Sequence, residues 1–145
     1  MNNNITLDFD INTTNADAAL GVRVSLDGAM LYDSSHVTGL YHFSHELSDD
    51  DGDHELSIEM YGKLPQHTKI SESGEIVEDS LLLINNIKID GIDFDKLADH
   101  WFEYHHDFNG TQPPTVDKFF KTMGCNGRAT LKFTTPIYLW LLEIM

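Results

Sequence analysis

Residues 78–94 read EDSLLLINNIKIDGIDF, and the fold follows from how this run divides. It opens with four consecutive apolar residues, Leu81 to Ile84, which suit a strand covered on both faces. It then alternates, with Ile87, Ile89, Ile92 and Phe94 separated by polar residues. Isoleucine is β-branched and fits a pleated surface, where it packs against cross-strand neighbours. Asn85-Asn86 and Asp90-Gly91 are the points where such a ribbon bulges or turns. The run predicts the central strand of a β-sandwich, followed by a kink or tight turn.

Toward the N-terminus, ITLDFDI (residues 5–11) puts Ile5, Leu7, Phe9 and Ile11 on one face and Thr6, Asp8 and Asp10 on the other. That is a half-buried strand. VSLDGAMLY (24–32) reads as a hairpin closed by Asp27-Gly28. YHFSHEL (41–47) and HELSIEMYGK (54–63) alternate in the same way, and the short acidic loop between them predicts a second hairpin. Residues 62–77 carry Gly62, Pro65 and Gly74 and predict an irregular excursion.

Toward the C-terminus the pattern is ambiguous. Leu97, Trp101, Tyr104 and Phe108 fit one helical face, whereas Phe102, Tyr104, His106 and Phe108 alternate as a strand does. Thr115 is placed to cap a short helix through Val116, Phe119, Phe120 and Met123, stopped by Gly124. Ala129 to Thr134 and Ile137 to Leu142, divided by Pro136, read as closing strands. The expected fold is mainly β: an antiparallel β-sandwich of jelly-roll type with one short helix, a single domain over residues 1–145.

Charge narrows the partners. With 24 acids against 9 bases the formal net charge is -15. Nucleic acid and anionic membranes are poor partners, because both require clustered Lys and Arg. Cys125 is the one cysteine, so no intrachain disulfide forms, and nothing calls for an oxidising compartment. Met1 runs through asparagines straight into a strand pattern, and no signal peptide is visible.

Four constellations could carry chemistry. The loop Glu46, Asp49, Asp50, Asp51, Asp53 and Glu55 is rich in oxygen ligands of the kind calcium needs, but its spacing does not match an EF-hand. Asp90, Asp93, Asp95 and Asp99 form a second candidate; Asp93 and Asp95 would share a strand face. Histidines 42, 45, 100, 105 and 106 lack zinc-site spacing. Trp101, Phe102, Tyr104 and Phe108 are aromatics suited to stacking on sugar or anchoring a partner, and equally to a core. Nucleophile elbows and phosphate-binding glycine loops are absent.

The segments HELSIEMYGK and EDSLLLINNIKIDGIDF, and more loosely GCNGRATLKFTTPIYLWLLEIM, resemble carbohydrate-binding-module-like β-sandwiches of the kind found in accessory virion proteins of tailed bacteriophages. The resemblance implies a non-catalytic structural or assembly module: a decoration, baseplate or fibre protein of a virion, assembled in host cytoplasm. Such a protein would act through protein partners and form a homo-oligomer. The alternative it implies is a glycan-binding module, calcium-assisted through Asp90, Asp93 and Asp95, with Trp101 or Tyr104 on the ligand. The resemblance lies in strand patterns, and the calcium-coordinating pattern of the xylan-binding families is not matched.

Overall fold

A computed structural model describes residues 4–18, 20–50, 52–62, 68–70, 72–73, 76–93, 102–106, 115–118, 122–123 and 126–144. The expected antiparallel β-sandwich is the observed architecture. One sheet contains β1 (Asn4–Thr13), β4 (Tyr41–Ser48), β8 (Leu82–Ile89), β9 (Ile92–Asp93) and β12 (Thr122–Met123), in the order β12-β8-β1-β4, with β9 folded back on β8. The facing sheet contains β2 (Gly21–Leu26), β3 (Ala29–Ser34), β5 (Gly52–Tyr61), β10 (Phe102–His106), β11 (Thr115–Lys118) and β13 (Gly127–Thr135), in the order β11-β10-β13-β5-β2-β3. Between residues 62 and 80, where an irregular excursion was expected, β6 (Thr68–Ile70) and β7 (Ile76–Asp79) pair as a small hairpin. Among the described residues one helix, α1 (Ile137–Ile144), follows β13.

β8 is interior, as its apolar run predicts, with β1 on one side and β12 and β9 on the other. It is not covered equally on both faces. Leu82, Ile84, Ile87 and Ile89 are buried, while Leu81 and Leu83 are only half-buried. Side chains alternate along a strand, so Ile84 and Ile87 share a face only if one residue between them is extra. The register shows that residue: Asp10 stands opposite Asn85 and Asp8 opposite Lys88, two steps on β1 against three on β8.

Asn86 takes up the excess with φ at 55°, a conformation Asn tolerates better than most side chains. Its amide donates to Asp10 Oδ2 at 2.7 Å, and His42 Nδ1 lies 2.7 Å from Asp10 Oδ1. One carboxylate therefore ties the bulge to both neighbouring strands. Both Asp-Gly pairs form the expected tight turns, with φ of 54° and 83° at Asp27-Gly28 and 53° and 78° at Asp90-Gly91. Positive φ at both central residues is what a right-twisted hairpin requires.

Three expectations are corrected. β4 and β5 do not form a hairpin: β4 pairs with β1, and β5 lies between β13 and β2 in the other sheet. The acidic linker thus crosses the sandwich. Phe43 of β4 stacks on Phe9 at 4.8 Å between centroids, and Leu56, Ile58 and Met60 of β5 join the same core. Second, Thr115–Lys118 and Thr122–Met123 are strands rather than one helix, because β10 and β8 offer them edges to pair with. Ladder hydrogen bonds outweigh a helical spacing of a few apolar residues; Phe119 and Phe120 lie outside the described residues.

Third, Ile137 to Leu142 is helical rather than extended. Ile137, Trp140 and Leu141 are buried, an i, i+3, i+4 set. The first helical amide, Ile137 N, donates to Asp49 Oδ1 at 2.7 Å, a cap supplied from the acidic crossing. Tyr138 donates to Asp90 Oδ2 at 2.7 Å. Helix α1 thereby bridges the end of β13 in one sheet to the β8–β9 turn in the other.

Candidate functional site

The β2–β3 turn, the start of β5, the end of β13 and helix α1 converge at one end of the sandwich. Asp27 joins the first two. Its Oδ1 accepts from the Glu55 amide at 2.8 Å, and its Oδ2 accepts from His54 Nδ1 at 2.8 Å. Burial pushes the Asp27 pKa up, but the hydrogen bonds from His54 and the Glu55 amide outweigh it and hold the carboxyl below its ordinary value. On its other side, His54 Nε2 lies 3.2 Å from Thr135 Oγ1, and the ring stacks on Phe133 at 5.3 Å. Trp140 of α1 meets Phe133 edge-on at 6.1 Å.

These contacts frame a groove of about 360 Å³. Its lining combines His54 and the buried Phe133 and Trp140 with the polar Asp27, Asp53, Glu55, Lys132 and Thr134. The volume falls within the range of small-molecule sites, roughly 300–1,000 Å³. A second hollow of about 180 Å³ lies beside Tyr32, His36, Leu40 and Tyr41, and its size is below that range. There the rings of Tyr32 and Tyr41 stack at 4.2 Å.

Asp27, His54 and Thr135 line up as acid, imidazole and hydroxyl, the order of a nucleophilic relay. The hydroxyl is not available for attack. Thr135 Oγ1 donates its proton to the Asp50 carbonyl oxygen, and the residue is 4% exposed. His54 Nδ1 thus faces the Asp27 carboxylate, and its Nε2 faces a hydroxyl whose proton is already committed. The line clamps the β2–β3 turn and the acidic crossing onto the end of β13.

The sequence-based candidates are scattered. Asp49 caps α1, and Asp50 accepts from the Ser48 hydroxyl at 2.7 Å. Asp90 accepts from Tyr138, and Asp93 lies on β9 opposite Lys88 in the register; Asp95 and Asp99 lie outside the described residues. Among the described residues no three His, Cys, Asp or Glu side chains converge on a point that would hold a metal. Within the Asp90, Asp93, Asp95 set, Asp90 is engaged by Tyr138 of α1. Tyr104 is 6% exposed and belongs to the core, since β10 is paired on both edges and turns this residue inward. Its ring is not a surface platform. Trp101 and His100 lie outside the described residues. His42 contacts Asp10, and His105 Nε2 lies 3.3 Å from Glu103.

Sequence reading missed the groove, because Asp27, His54 and Phe133 meet only through the pairing of β5 with β2 and β13. The single legible signal was the Asp27-Gly28 turn, whose Asp has its side chain aimed back at the neighbouring strand.

Acid should loosen this scaffold. Hydrogen bonds from Asn86 and then His42 hold Asp10 below its ordinary carboxyl value, and Asp27 is held low as described. A lowered folded pKa contributes stability that is complete above the unfolded carboxylate range, about pH 4, and is lost as pH falls through the folded value. Thermal unfolding between pH 7 and pH 2 should show Tm falling below about pH 4. The fall should be shallower in Asp10→Asn than in wild type; equal slopes would remove Asp10 from the account.

No protein-family model matches this sequence, and no curated protein matches it. A solved structure of vCBM60, in its selenomethionine form, is similar at a TM-score of 0.51 and 11% identity, covering 88% of this chain and 89% of that one. It is described together with a circular permutation linking two families of calcium-dependent carbohydrate-binding modules. vCBM60 in complex with galactobiose aligns at a TM-score of 0.48 and 13% identity, over 89% of this chain and 97% of that one. At such identity the likeness concerns the fold, and the chain is a β-sandwich with the architecture of a carbohydrate-binding module.

Proposed function

We propose that this chain is a non-catalytic glycan-binding module, one sandwich domain over residues 1–145, that holds its ligand in the groove between the β2–β3 turn and α1. The observation that supports it is the groove's mixed apolar and polar lining. A sugar ring has apolar C–H faces and a polar rim of hydroxyls. The half-buried His54 ring, backed by the buried Phe133 and Trp140, suits the former, and Asp53, Glu55, Lys132 and Thr134 suit the latter. Carboxylates accept hydroxyl protons in charge-assisted hydrogen bonds, which are stronger than neutral ones. The relay beside the groove has its hydroxyl proton committed, which favours binding without chemistry.

Screening on a glycan array followed by calorimetric titration tests this reading. The double variant Asp53→Ala, Glu55→Ala should weaken binding about tenfold or more, since each lost charged hydrogen bond is worth roughly 1.5–3 kcal/mol. An unchanged Kd would move the site elsewhere. Titration with calcium and again with a chelator belongs to the same experiment. Binding lost in the chelator would assign an ion to residues beyond the described ones, with Asp95 the first to substitute.

A second reading has its own observation. Tyr138, Leu139 and Leu142 on the outward side of α1 are 51%, 59% and 71% exposed. Large apolar side chains clustered on one exposed helix suit a protein contact. This supports an assembly module that forms homo-oligomers or docks on protein partners, the accessory virion protein of a tailed bacteriophage being the setting inferred from the sequence. Light scattering coupled to size exclusion separates the readings: an oligomer that Leu139→Glu converts to monomer favours assembly, and a monomer in both forms favours the glycan module.

A further inference from the structure

We infer that the groove is one end of a longer site, and that the ligand is an oligosaccharide whose chain leaves the groove along the β5–β13 ladder and lies over Ser57 and Thr130; this rests on the glycan-binding reading above. The observation behind it is a buried hydroxyl with nothing to bond to. Thr130 is 7% exposed, and among the described residues no side-chain hydrogen bond reaches it. Buried polar groups in folded proteins are almost always paired, and each exception asks for a cause. Ser80 and Thr135, the other buried polar residues described, both have partners.

The sheet turns Thr130 outward. Its chain neighbours Ala129 and Leu131 are buried in the core, so alternation puts Thr130 on the opposite face with Arg128 and Lys132. Across the ladders it stands opposite Ser57 and Glu103, and Ser57 in turn stands opposite Ser25. Short hydroxyl side chains thus make a low floor across three adjacent strands. Longer side chains stand two residues away on either side: Glu55 and Lys132 toward the groove, Glu59 and Arg128 beyond. The far wall is held in place, since Arg23 donates to Glu59 Oε1 at 2.8 Å. Glu55 and Lys132 also line the groove, so groove and hollow share a border.

From Asp53 to Ser57 the strand advances about 13 Å, further than one sugar ring reaches. A groove of about 360 Å³ sits near the lower end of the range for small-molecule sites, roughly 300–1,000 Å³. It suits the end of a chain, and the units that follow meet the hollow. The Thr130 hydroxyl can both donate and accept, as can each hydroxyl of a sugar. Thr130 thereby sets a preference for chain length.

A length series tests it. Wild type, Thr130→Val and Thr130→Ser are titrated calorimetrically with β-linked gluco- and galacto-oligosaccharides, from the disaccharide to the hexasaccharide. In wild type, lengthening beyond the disaccharide should tighten binding about tenfold, the scale of one or two added hydrogen bonds. Thr130→Val, which keeps the branched shape without the hydroxyl, should cut that gain to about twofold; Thr130→Ser should keep it. Thermal unfolding of the free proteins gives a reading independent of any sugar. Thr130→Val should not lower Tm, because a hydroxyl without a partner has no bond to lose. A fall in Tm would mean that the hydroxyl is paired within the fold, and it overturns the inference. Equal binding of short and long sugars also overturns it and leaves the glycan reading standing, with the site ending at the groove. So does an equal loss for short and long sugars in Thr130→Val. Failure of every sugar to bind overturns the glycan reading and this inference with it.

Discussion

Deleting Asn85 and Asn86 together, with nothing put in their place, should unfold the protein. The bulge residue lets Ile84 and Ile87 face the same core although they are three positions apart. With the pair gone, Ile84 and Ile87 become adjacent, and alternation sends Ile87 and Ile89 to solvent and turns Lys88 inward; deletion of Asn86 alone leaves a regular ladder with these isoleucines on one face. In the double deletion each displaced isoleucine loses roughly 1.5–3 kcal/mol of burial, and an unpaired charge in the core costs more still. The sum rivals the whole stability of a typical domain, about 5–15 kcal/mol.

Substitution is a different matter. Asn86→Gly keeps the left-handed backbone and gives up only the hydrogen bond to Asp10, at a cost of about 1 kcal/mol. Urea titration followed by circular dichroism separates the double deletion from this substitution. A double-deletion mutant that still unfolds cooperatively near the wild-type midpoint would mean that β8 carries no bulge.

The second large effect concerns α1. Trp140→Ala should cost about 3–5 kcal/mol, because the indole is 7% exposed and closes the end of the sandwich against Phe133. Leu142→Ala should change stability by no more than about 0.5 kcal/mol, as Leu142 points outward. The contrast discriminates between conformations. In an extended segment residues 140 and 142 share a face and would be equally costly to truncate. In the helix the buried set is Ile137, Trp140 and Leu141. Differential scanning calorimetry should show Trp140→Ala lowered by roughly 10 °C or more and Leu142→Ala close to wild type. Equal shifts would return this segment to a strand.

The two effects frame the groove. Asn86 secures the sheet whose β8–β9 turn receives Tyr138, and Trp140 forms part of the groove's lining. Loss of ligand binding in Trp140→Ala would thus be confounded with loss of fold. Asp53 is the better probe, since it is exposed at the start of β5.

Several features of this chain were determined by sequence alone. Ile5, Leu7, Phe9 and Ile11 alternate and are buried as a set, as are Val22, Val24 and Leu26. Each Asp-Gly pair makes its turn, because the required positive φ is a local property of those residues. Enough such strands, with turns between them, specify an antiparallel sandwich. Tertiary structure alone decided which sheet each strand joins. YHFSHEL and HELSIEMYGK carry the same alternation, which describes one face of one strand and is silent about the partner across the ladder.

Pairing with β1 and β8 respectively placed β4 and the short strand at Thr122 in one sheet, while pairing with β13 and with β10 placed β5 and β11 in the other. Those choices depend on packing summed over many distant residues, and they override a short local period such as that of Val116 to Met123. The groove belongs to this second class. Asp27, His54 and Thr135 stand far apart in the chain, and only the β2–β5–β13 ladder brings a turn carboxylate, an imidazole and a strand-end hydroxyl into one line.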